Sequence, residues 1–179
     1  MTTSLQSTIS TQLGWTWRDQ LGTGTILDSN RIQFSKTLTD GSGSGQSDAV
    51  WHAHGQTRAA GQSTTLFLDA LEQEMFGDII TVAMARVKAI HVVNSSTSGG
   101  YLLVGGTVVD EWHAPFGSAG NAVKVMPDSP LLLANPTNGW SVGFGYKALK
   151  IAAVGDPVTY DAAIVGVLAG SSSSSSSPL

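Results

Sequence analysis

The chain has 179 residues, 9 Lys and Arg against 13 Asp and Glu, no cysteine, and a formal net charge of −4. That is the length of one domain with extensions, long enough to bury about 70% of its unfolded surface without a covalent staple. The missing cysteines exclude disulfide frameworks, thiolate metal sites and thiol nucleophiles. The missing basic stripe excludes a phosphate-backbone partner, and with it a nucleic-acid role.

Residues 1–45 are polar and glycine-punctuated and read as an N-terminal arm. The run Met1–Trp17 has neither the basic start nor the apolar centre of a secretory signal, and no stretch reaches the 18 apolar residues of a membrane-spanning helix. No membrane partner is therefore expected, and the chain is expected to be made in a cytoplasm, with no visible export address. If Gly14–Asp19 is extended, Trp15 and Trp17 share a face. Arg31–Ser35 alternates as a strand, and Asp40–Gly45 (DGSGSG) reads as a flexible linker or loop tip.

Residues 46–169 hold most of the apolar content and form the predicted core domain. Leu68, Leu71 and Met75 are spaced for one or two helical turns ending at Gly77. The other segments have strand character: Ser63–Leu68, Arg86–Val93, Tyr101–Val104, Ala122–Met126, Leu131–Ala134, Gly139–Tyr146, Ala148–Val154 and Val158–Val167. Gly139–Tyr146 alternates Trp140, Val142, Phe144 and Tyr146 against small residues. Turn residues such as Gly105-Gly106, Pro127–Pro130 and Asn135–Gly139 separate the strands, and no crossover is long enough for parallel pairing. The predicted fold class is all-β, an antiparallel sandwich or jelly roll with an extended N-terminal arm. Residues 170–179 are a serine tract expected to be disordered.

Several strands are apolar on both faces. In Val158–Val167, Tyr160, Ala162 and Ile164 oppose Ala163, Val165 and Val167, and Leu131–Ala134 has no polar position. One face of each strand can reach a sandwich core and the other needs separate cover. With so few charges, this predicts a self-associating protein, a dimer or trimer; the alternative is a larger two-layer core whose edges are covered by the 45-residue N-terminal segment.

Candidate chemistry is sparse. His52-Ala-His54 could chelate a metal with His91 or His113, but an H-x-H pair alone is a weak signal, and no metal or other cofactor is expected. Asp69, Glu72, Glu74 and Asp78, with Asp110 and Glu111, could furnish the two carboxylates of a small hydrolase, yet they read better as a solvated face. No G-x-S-x-G elbow and no phosphate-binding glycine motif occurs, so no catalytic residue is assigned and no enzyme is expected. The residues singled out for partner binding are Trp15, Trp17, Ile26 and Trp51.

Three segments, LDALEQEMFGDIITVAMARVKAIHVVN (68–94), MPDSPLLLANP (126–136) and LKIAAVGDPVTYDAAIVG (149–166), together resemble small β-rich virion proteins of tailed bacteriophages. The likeness spans about residues 50–168 and carries no catalytic motif. It implies a structural protein of the virion, a capsid decoration (cement) protein whose partners are its own copies and the major capsid or another virion protein. The alternative is a carbohydrate- or receptor-binding module of a phage tail, in which Trp15 and Trp17 would stack on sugar rings.

Overall fold

The computed structural model describes residues 4–75, 77–97 and 99–170, so the serine tract lies outside the described residues. The chain is all-β. Its strands are β1 (Ser7–Leu21), β2 (Gly24–Leu38), β3 (Ala49–Arg58), β4 (Ser63–Phe67), β5 (Leu71–Met75), β6 (Asp78–Val82), β7 (Met84–Asn94), β8 (Tyr101–Gly105), β9 (Ala122–Val125), β10 (Ser129–Ala134), β11 (Trp140–Ser141), β12 (Ala148–Val154) and β13 (Val158–Leu168).

Two antiparallel sheets form the body, one ordered β10-β7-β13-β3 with β11 also on β7, the other β4-β12-β8-β9. Take the main strands in chain order as β3, β4, β7, β8, β9, β10, β12 and β13. The first then pairs with the last, the second with the seventh, the third with the sixth and the fourth with the fifth. This is a long antiparallel ribbon rolled up on itself, the topology of a jelly roll. Along β13 the burial alternates as period-2 strand geometry requires: Val158, Tyr160, Ala162 and Ile164 are buried. They meet Ile90 and Val92 of β7 and, across the sandwich, Leu102, Val104, Leu149 and Ile151 of the second sheet.

Two sequence expectations are corrected. The helical turn expected over 68–75 is strand β5, hairpin-paired with β6 from Leu71↔Val82 to Met75↔Asp78. The apolar spacing of Leu68, Leu71 and Met75 mimicked a helix, but the burial has period two: Leu71 and Gln73 face in, Glu72 and Glu74 face out. The alternation over Gly139–Tyr146 yields only two strand residues, Trp140 and Ser141. The chain then reverses in a tight turn in which Gly143 and Tyr146 exchange backbone hydrogen bonds, leaving Phe144 97% exposed at its tip. The glycines that suggested a flat strand face instead supply a turn, with Gly145 at φ 82°.

Opposite Val165 and Gly166 of β13, the register skips Lys88 of β7, a bulge in β7 that lets the sheet bend there. A Cβ on Gly166 would drive into the backbone carbonyl of Arg86 and against Met84 Sδ. Gly166→Ala should therefore lower stability by about 1–3 kcal/mol, the usual cost of overpacking a rigid site. Urea denaturation measures it, and an unchanged midpoint would contradict this reading of the bulge.

Candidate functional site: an amphipathic ribbon

β1 and β2 form a 15-residue-per-strand hairpin whose register runs unbroken from Ser7↔Leu38 to Leu21↔Gly24. At the usual rise per residue it is about 50 Å long. Gly22, at φ 57°, begins the two-residue turn, as the primed turns that match strand twist require. Among the described residues, neither strand has another ladder partner.

Residues directly opposite in the register lie on the same face. One face therefore collects Leu13 with Ile32, Thr11 with Phe34, Trp15 with Asn30, Trp17 with Asp28, and Asp19 with Ile26. The other face is polar: Gln12, Thr16, Arg18, Ser29, Arg31 and Gln33 lie there. It is stitched across the strands by hydroxyl pairs, Thr8 with Thr37 at 3.5 Å and Thr16 with Ser29 at 3.3 Å. Leu27 is an exposed apolar residue on that face. The ribbon is thus amphipathic. From Ser10 to Gln20, and from Gly24 to Thr37, every position is exposed.

Only the root touches the body. Ile9 and Leu38 are buried against Ala89, Leu132 and Val165, on the outer face of the β10-β7-β13-β3 sheet. Each contributes about 2 kcal/mol by burial. A cleft of about 290 Å³ opens there, between Thr8, Ile9 and Ser10 of β1 and the sheet residues His91 and Ala163. The outer side of β13 thus finds partial cover from its own chain's arm.

The expected flexible linker is a fastened loop. Gly43 N–H donates to Gln46 Oε1 at 2.8 Å, and Ser47 N–H to the Thr39 carbonyl at 2.9 Å. The Arg86 guanidinium donates to the Ser42 carbonyl, and Lys88 Nζ to the carbonyls of Thr137 (2.6 Å) and Gly43 (3.3 Å). Lys88 is fully buried. Burial, reinforced by the neighbouring Arg86 charge, holds its pKa below the ordinary lysine value. Lys88 sits in β7 where the β13 register slips, so its side chain leaves the sheet and reaches the loop under the ribbon's root.

The structure brings Trp15, Trp17 and Ile26 together on the apolar ribbon face, exposed 40%, 71% and 59%. Trp51 is elsewhere: it is 7% exposed in the sandwich core, its ring N–H donating to the Glu72 carbonyl at 2.8 Å, where it fastens the β5–β6 hairpin. Leu13, Ile32 and Phe34 belong to the exposed face too. They were missed because β1 was not read as a strand, although Arg31–Ser35 supplied the matching alternation.

His52 and His54 lie on exposed positions of β3 with ring centres 5.1 Å apart, and His54 Nδ1 is 3.5 Å from Asp161. His91 shares the outer face across Ala163, whereas His113 lines a separate cleft with Trp140 and Tyr146. Among the described residues, no three His, Asp or Glu side chains gather closely enough to hold a metal ion. The acidic residues are dispersed in their roles: Asp69 pairs with Lys147 at 2.9 Å, Glu111 accepts from Gly120 N–H, and Glu72 and Glu74 face outward on β5. No protein-family model matches the sequence, and no curated protein matches it significantly.

The buried Lys88 gives the root a pH signature. Its folded pKa is depressed, so between that value and the ordinary 10.5 the unfolded chain binds a proton that the folded chain does not. The stability of the wild type relative to Lys88→Met should rise as pH is raised through that window and stay flat below it. Paired urea titrations at neutral and alkaline pH measure the difference, and a wild type that loses stability relative to Lys88→Met as the pH rises would refute the assignment.

Proposed function

We propose that this protein is a structural component of a bacteriophage virion, a capsid decoration (cement) protein that associates with its own copies and with the major capsid protein or another virion protein. The observation that carries this reading is the ribbon: a root-anchored arm that offers a largely apolar face to a neighbour. A cement protein works through repeated contacts, each modest, summed over a lattice, and it needs a stable domain plus an arm that reaches beyond it.

Two further points support the reading. The segments with a virion-protein likeness fall on the body's principal strands: 68–94 spans β5 to β7, 126–136 contains β10, and 149–166 covers β12 and most of β13. Jelly rolls serve in viral shells and also in lectins, so the fold is compatible with the role without assigning it. The low charge suits a protein that binds protein surfaces instead of the packaged genome. On this reading the chain is made in the bacterial cytoplasm and ends in the virion.

A tail module binding carbohydrate or a receptor is the second reading, favoured by the exposed Trp15 and Trp17 side by side, which could stack on sugar rings.

Replacing both Trp15 and Trp17 by Ala should leave the jelly roll folded, because neither ring touches its core. It should reduce occupancy on empty shells at least tenfold, as expected for two exposed aromatic anchors. Co-sedimentation with purified shells measures occupancy. Unchanged occupancy contradicts the ribbon as the docking element, and glycan binding lost in the same variant would transfer the assignment to the tail module.

A further inference from the structure

The body carries a second cleft, of about 410 Å³, lined by His113, Ala114, Gly139, Trp140, Ser141 and Tyr146. Small-ligand sites occupy about 300–1,000 Å³ and set a few polar groups among aromatic walls. Trp140 and Tyr146 supply the walls here, and both come from one stretch of chain. β11 ladders onto β7 through Trp140↔Val87, and the tight turn closed by the Gly143–Tyr146 backbone hydrogen bonds returns Tyr146 to the same cleft. The Trp140 ring is held in place. The fully buried Trp112 meets it edge to face, ring centres 6.2 Å apart, and donates its own ring N–H to the Ser141 carbonyl at 2.7 Å. A ring fixed before a ligand arrives loses little freedom on binding.

Two polar atoms of the lining are uncommitted. His113 Nδ1 lies 3.3 Å from the Glu111 carbonyl, which can only accept, so Nδ1 carries the proton and Nε2 is left as an acceptor. Tyr146 Oη makes no hydrogen bond among the described residues, and its ring is 45% exposed. No lysine, arginine, aspartate or glutamate lines the cleft. From this combination we infer that the cleft binds a neutral saccharide. The C–H face of a pyranose ring lies against Trp140 or Tyr146, and its hydroxyls bond to His113 Nε2 and Tyr146 Oη. An anion finds no cation here and a cation finds no anion, whereas a wholly apolar ligand would leave the two polar atoms unpaired. The inference goes beyond the capsid role and does not rest on it, and it puts saccharide on the body instead of on Trp15 and Trp17 of the ribbon.

The test is made on the full-length chain. A glycan array of neutral hexose and N-acetylhexosamine oligomers should show saturable binding. Calorimetric titration with the strongest array binder should give a dissociation constant of about 1 mM or tighter. Tyr146→Ala should weaken that binding about tenfold or more, and Tyr146→Phe, which keeps the ring and removes the hydroxyl, should fall between it and the wild type. Ala114→Trp fills the cleft from an exposed position and should abolish binding with the urea midpoint unchanged. Tryptophan emission should change on saturation, because Trp140 lines the cleft, and the change should persist when Trp15 and Trp17 are both replaced by Ala.

A silent array, with no heat from glucose, galactose or N-acetylglucosamine at about 10 mM, overturns the inference. So does a preference for sialylated or sulfated glycans, which would need a cation that the cleft lacks. Binding that survives Tyr146→Ala and Ala114→Trp but is lost with Trp15 and Trp17 also overturns it, and moves the saccharide to the ribbon. The two proposals fail separately. A chain that binds saccharide through Tyr146 and ignores shells upholds this site and removes the capsid role. A chain that binds no saccharide, yet loses shell occupancy in Ala114→Trp, makes the cleft a protein contact and does the reverse.

Discussion

A greasy strip on a two-stranded ribbon has no interior to retreat into. The jelly roll solves the burial problem for its own strands by closing two sheets over Ile90, Ile151, Ile164 and their neighbours. The β1–β2 hairpin does not share that solution. It leaves the body after Ile9 and Leu38 and carries Leu13, Trp15, Trp17, Ile32 and Phe34 into solvent on one side only. Apolar area of this size, gathered on one face and backed by a hydroxyl-rich one, is a surface waiting for cover.

The root explains why such an arm can be presented at all. A flexible tether would let the ribbon fold back onto the outer sheet or tangle with its neighbours. Here Leu38 and Ile9 are pinned on Ala89, Leu132 and Val165, and Arg86 and Lys88 reach from β7 to hold the Ser42 and Gly43 carbonyls. Burying a lysine against backbone carbonyls alone carries a desolvation cost, visible in its lowered pKa. The return is a fixed exit angle for the ribbon, and a pre-set arm loses less freedom on docking than a loose one.

The body was legible in the sequence wherever a strand alternated cleanly or was bounded by turn residues. Ala148–Val154 falls on the predicted residues, and Arg86–Val93, Tyr101–Val104 and Val158–Val167 come within a few. Low helix content and short connections sufficed for the antiparallel sandwich. What failed did so for local reasons. Leu68, Leu71 and Met75 satisfy a helical spacing as well as a hairpin, and only the register with β6 decides between them. Gly139–Tyr146 satisfies a strand as well as a turn, and Gly143 and Gly145 decide for the turn. Ser7–Leu21 escaped notice because it is polar on one face and has glycine and charge on its way. Its strand character becomes clear only when each residue is set against its partner in β2. Trp15, Trp17 and Ile26 were singled out by their chemistry and lie together on an exposed face, but Trp51 was not separable from them by sequence, because a tryptophan next to exposed histidines looks the same whether it faces the core or the solvent.

The central claim is that the ribbon's apolar face is covered by another molecule when the protein works. Amide hydrogen exchange of β1 and β2, followed as a function of protein concentration, tests it most directly. The account predicts that amides between Ser10 and Thr37 exchange quickly in dilute protein and become protected as concentration rises, while those of β7 and β13 stay slow throughout. Ribbon amides whose exchange is indifferent to concentration and to added shells would contradict it.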